Sequence, residues 1–82
     1  MTQLGKLHQK MLDGRPLSFL EFQRLLKAFG FRLFRIAGSH HIYGHDTFDD
    51  QLSIQPRGKD AKSYQVRQFV TMVQRYSLSL DD

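Results

Sequence analysis

The segment Gly38-Ser39-His40-His41-Ile42-Tyr43 places a tight-turn dipeptide directly before paired imidazoles, on a stretch that reads as a β-strand. An imidazole with an unperturbed pKa of about 6.5 can accept a proton from a ribose 2′-hydroxyl at neutral pH. A lysine or arginine beside it can stabilise the charge that builds on phosphorus. Arg35 and Lys59 fall on the adjoining strand and loop and are candidates for that task. The chain contains no cysteine, and carboxylates do not cluster around these histidines. Acid–base chemistry on RNA, or contact with its phosphates, is therefore the expectation.

Clustered histidines can also bind metal, but the spacing argues against it. His41 and His45 would converge on a helix; on a strand, side chains sharing a face are two positions and about 7 Å apart. Asp46 is the only carboxylate next to them. No metal and no cofactor is expected.

Elements of defined type must hold these residues. Leu4, Leu7, Met11 and Leu12 recur at helical spacing and stop at Asp13-Gly14-Arg15-Pro16, predicting a short first helix. Ser18 stands three residues before Glu21 in a capping-box arrangement, opening a helix whose Phe22, Leu25, Leu26 and Phe29 form an apolar stripe closed by Gly30. Phe31 to Ala37 and His40 to His45 read as a hairpin across Gly38-Ser39. A polar stretch, 46–50, leads to a third strand, Gln51 to Gln55, ended by Pro56, with Leu52 and Ile54 inward.

A basic loop, Arg57 to Lys62, then feeds a last helix reaching Tyr76, with Val66, Phe69, Val70, Val73 and Tyr76 as its buried stripe. Its Lys62 end suits a phosphate, because free N–H groups and the helix dipole favour an anion there. The tail from Ser77 to Asp82 is expected to be loosely held. This is an α+β fold: a three-stranded antiparallel sheet with helices on one face and the other face open. Residues 1–16 form an N-terminal helical extension and 17–82 the remainder of one compact domain.

Alternation along the second strand separates His40, Ile42 and Gly44 from His41, Tyr43 and His45. With Ile42 turned to the helices, the second set lies on the open face, where Tyr43 can stack on a base. His40, beside the turn, can escape the alternation, so the pattern does not choose between His40 and His41. Phe19, Phe34 and Phe48 are not assigned by spacing.

The 82 residues carry a formal charge of +4, which favours an acidic partner through counterion release. A chain this short holds one core and a shallow site. Its charge-free apolar runs fall far short of the roughly 20 residues that span a bilayer. A soluble protein of the reducing cytoplasm, with no membrane association, is the expectation.

From about Phe22 to Tyr76 the chain resembles the HicA toxin family, messenger-RNA interferases of type II toxin–antitoxin systems. The motifs in order are Gly30-Phe31 after a helix, Arg35 ahead of Gly38-Ser39-His40-His41-Ile42-Tyr43, a third strand ending in Pro56, and a lysine-bearing loop before Val66-Arg67-Gln68-Phe69. Arg57 stands where many members carry histidine, and the helix before Pro16 lies outside the usual compact toxin.

The resemblance implies a double-stranded-RNA-binding-domain-like fold with an extra N-terminal helix. It implies a metal-independent endoribonuclease with His40 as the catalytic histidine, which decides between His40 and His41. Arg35, Ser39, His41, Tyr43, Lys59 and Lys62 form the expected RNA-contacting set, Ser39 also shaping the turn. The partners implied are messenger RNA and a HicB-like antitoxin. The alternative reading is a non-catalytic RNA-binding or partner-binding module on the same fold.

Overall fold

Local chemistry sets most element boundaries in the computed structural model, which describes residues 2–80. Helix α1 spans Gln3–Leu12 and α2 spans Phe19–Ala28. At the start of α2 the Ser18 hydroxyl accepts the Glu21 N–H at 3.0 Å while the Glu21 carboxylate accepts the Ser18 N–H at 2.8 Å. Gly30, with φ +92°, turns the chain out of this helix, a conformation that costs glycine nothing sterically.

The Ser18 N–H, aided by Lys10 at 3.1 Å and opposed by burial, holds the Glu21 carboxyl below its ordinary range. The folded state therefore gains stability that is present above the ordinary carboxylate value and lost as pH falls through the lowered one. Ser18→Ala is expected to cost about 1 kcal/mol. Glu21→Gln should flatten the acid limb of a plot of thermal midpoint against pH; an unchanged limb would remove this account of Glu21.

Strands β1 (Phe31–Ala37), β2 (His40–His45) and β3 (Phe48–Ile54) form an antiparallel sheet in the order β1-β2-β3. Ile42 pairs with Arg35 and Ser53, and Tyr43 with Leu33 and Leu52. A register shift between Leu33 and Arg35 bulges β1 at Phe34. Strand β3 starts earlier than its alternation suggests, because Asp46 and Thr47 suffice for the turn and Phe48 already pairs with His45.

The basic stretch after β3 is not a loose loop. Pro56–Arg57 (β4) and Asp60–Ala61 (β5) pair as a small second sheet. The Lys59 carbonyl accepts the Phe19 N–H at 2.8 Å, and the Ala61 N–H donates to the Leu17 carbonyl at 3.0 Å, tying this hairpin to the entry of α2.

Helix α3 spans Ser63–Arg75. Its buried residues are Gln65, Phe69 and Met72; Val66, Val70, Val73 and Tyr76 flank them, partly buried. The stripe is thus rotated from the one the valines suggest, because a glutamine occupies an inward position. The tail does not hang free as expected: Leu78 and Leu80 pack against the core, and the Leu78 N–H closes the helix on the Val73 carbonyl at 2.9 Å. Asp81 and Asp82 lie outside the described residues.

Leu7 and Met11 of α1 are buried in the same core as Phe22, Leu25, Tyr43, Ile54 and Phe69. The N-terminal helix therefore packs on the sheet-bearing body, with Lys10 bonded to Glu21.

Burial corrects the faces of β2. Tyr43 is completely buried, and its hydroxyl accepts from Gln23 Nε2 at 3.0 Å. Ile42, the residue expected to point at the helices, lies with Gly44 on the open face, where the Phe34 ring covers Gly44 so closely that an added Cβ would meet it. Alternation defines two sets of residues but not which set meets the helices; here the larger ring with a distant polar partner takes the interior. Tyr43 consequently has no face free for a base.

Candidate active site around His40

The face reversal brings His40, not His41, together with Ser53 and Gln55. His40 Nδ1 lies 3.2 Å from Ser53 Oγ, and its Nε2 lies 3.0 Å from Gln55 Nε2. The Gln55 amide also bonds Ser39 Oγ through Nε2 at 3.1 Å, while its Oε1 accepts from Lys62 Nζ at 2.9 Å. A lysine only donates, so the carbonyl end of Gln55 must face Lys62 and the NH2 end must face Ser39 and His40. His40 Nε2 is then the acceptor, and the ring proton sits on Nδ1, donating to Ser53. The network leaves a neutral imidazole whose basic nitrogen, Nε2, faces the Gln55 amide.

Gln55 is fixed from behind. Its backbone N–H donates to Gln65 Oε1 at 3.0 Å, and Gln65 Nε2 donates to the Tyr64 hydroxyl at 3.2 Å. Gln65 is the one buried polar residue among those described, at 4% exposure, and both ends of its amide are engaged. The sequence reading gave Gln55 no role of its own and passed over Gln65. The available signal for Gln65 was its spacing of four and seven from Phe69 and Met72, which a polar residue masks.

The other two strand histidines are held by contacts of their own. His41 Nδ1 donates to the Ser39 carbonyl at 3.1 Å, and its ring packs edge-on against Phe19 at 5.0 Å. His45 Nε2 donates to the Phe29 carbonyl at 3.1 Å, while Nδ1 takes the Thr47 N–H at 3.2 Å, so neither nitrogen is spare. Among the described residues no three histidine, aspartate or glutamate side chains come together as a metal-holding group.

Of the expected RNA-contacting set, Ser39 and Lys62 join His40 through Gln55. Arg35 and Lys59 are exposed and line no part of the groove that holds His40. Tyr43 belongs to the core. No described helix is long and apolar enough to cross a membrane.

Residues 20–74, more than half of the chain, match the family model described as HicA toxin of bacterial toxin-antitoxin. No curated protein and no solved structure matches the chain.

Proposed function

The chain belongs to the HicA toxin family of bacterial toxin–antitoxin systems, and from that membership we propose that it is a metal-independent endoribonuclease of messenger RNA, held in check by a HicB-like antitoxin. The observation that carries this reading is the exposed, neutral imidazole of His40, oriented at both nitrogens by Ser53 and Gln55. Nε2 accepts the proton of a ribose 2′-hydroxyl as that oxygen attacks the adjacent phosphorus. The bond from phosphorus to the 5′-oxygen of the next nucleotide breaks and that oxygen takes a proton from water, leaving a cyclic phosphate on one fragment and a 5′-hydroxyl on the other. The hydroxide so formed takes back the proton held by Nε2. Gln55 yields Nε2 to the substrate without losing all its partners, since Ser39 Oγ also accepts from its amide. Lys62, one hydrogen bond behind Gln55, supplies positive charge near the phosphorane.

This chemistry has two separable requirements. Single-stranded RNA should be cut in the presence of a strong chelator, whereas DNA of the same sequence, lacking the 2′-hydroxyl nucleophile, should stay intact. Gel analysis of both strands with purified protein tests it. Cleavage that needs an added divalent ion, or equal cleavage of DNA, would overturn the mechanism; RNA binding without any product would favour the non-catalytic binding module.

A further inference from the structure

A groove of about 620 Å³ runs between the free edge of β3 and α3, with His40 on its wall. That size falls within the roughly 300–1,000 Å³ of small-molecule sites. At one point the Arg75 guanidinium and the Tyr76 hydroxyl are both committed to Asp50. What remains of the lining carries no free cation and mixes polar side chains with apolar ones. Gln51 and Gln68 present amides with no hydrogen bond among the described residues, beside the Ser53 and Thr71 hydroxyls and over the buried Leu52 and Met72.

The cations lie elsewhere. Arg57 and Lys62 line a separate shallow ledge with Pro56 and Ser63. Tyr64 is shared by ledge and groove, is 48% exposed, and has its hydroxyl held by the buried Gln65. A phosphodiester suits the ledge, and a flat heterocycle with donors and acceptors on its rim suits the groove. Free amides match both kinds of group on a base edge, and an exposed tyrosine ring offers a stacking face.

We propose that the β3–α3 groove is a nucleobase subsite, in which Tyr64 stacks on one unpaired base and Gln68 reads its edge beside the phosphate presented to His40. This rests on the nuclease reading above for its substrate. It adds that the RNA must be single-stranded at this point, because a base inside a duplex has its edge paired and its faces stacked. It also adds that one nucleotide position is selected by base.

The test uses the full chain and fluorescent 2′-fluoro nonamers of A, C and U, which lack the attacking hydroxyl and cannot be cut by the proposed route. Anisotropy at low salt should show affinities differing by about tenfold between best and worst base, the factor to which about 1.4 kcal/mol of edge hydrogen bonding corresponds. Tyr64→Ala and Gln68→Ala, both at exposed positions and checked by thermal melting, should each narrow that spread while retaining salt-sensitive binding through Arg57 and Lys62. Equal affinities in the wild type, no binding at all, or an unchanged spread in folded Gln68→Ala would overturn the subsite. Base preference that both variants narrow, in a protein that never cuts RNA, would support the subsite and sink the nuclease reading instead.

Discussion

His40→Ala is expected to lower the single-turnover rate of RNA cleavage by roughly 10²–10⁴-fold, the range a positioned general acid or base contributes. The thermal midpoint should hardly move. His40 is exposed and supports no core contact; it bonds only Ser53 and Gln55, both of which can turn to water. Surface changes of this kind usually stay within about 0.5 kcal/mol. Tightly controlled induction should arrest growth with loss of RNA in the wild type and do neither in the variant.

His41→Ala supplies the contrast. It removes the ring packed on Phe19 and the bond to the Ser39 carbonyl, so it should lower stability while leaving the rate per folded molecule near that of the wild type. A His40→Ala protein that cuts at the wild-type rate, or a folded His41→Ala protein that does not cut, would reverse the assignment.

The two histidines differ in a way that sequence spacing alone does not reveal. Local chemistry was readable: Ser18 and Glu21 form their box, Gly30 takes a positive φ, and Gly38-Ser39 makes the reversal with Gly38 at φ +62°. Each of those depends on residues within a few positions of one another. The choice of sheet face does not, because it is decided by what α2 and α3 bring to the sheet. Tyr43 goes inward to meet Gln23, twenty positions away, and everything on β2 follows with it.

Gln55 and Gln65 escaped reading for the same reason. Their value lies in the bonds of Gln55 to His40 and Lys62 and of Gln65 to the Gln55 backbone, which exist only once β2, β3 and the start of α3 lie side by side. The β4–β5 hairpin was hidden differently: strands of two residues are too short to show periodicity, and only Gly58, with φ +62°, marks the turn. The resemblance to a family favours His40 over His41, and in the structure it is His40 that bonds Gln55.

Tyr43→Ala carries the largest expected effect on the fold and separates packing from RNA contact. Removing a completely buried aromatic side chain costs about 3–5 kcal/mol. A small domain holds little more than the low end of the roughly 5–15 kcal/mol typical of native proteins. The variant should therefore melt near or below 37 °C, with cleavage lost through unfolding.

Tyr43→Phe keeps the ring and releases the half-buried Gln23 amide, at a cost of about 1 kcal/mol, with cleavage retained. Burial pushes the Tyr43 hydroxyl above the ordinary tyrosine range, partly offset by Gln23. Its contribution to stability is thus complete below the unfolded value and is lost as pH rises through the folded one. Tyr43→Phe should remove that share of the alkaline loss in urea titrations across the range. Had Tyr43 faced RNA, Tyr43→Ala would stay folded and merely bind more weakly; a variant with a wild-type melting curve and reduced RNA affinity would return this residue to the surface and, with it, undo the orientation of His40 derived from the same strand.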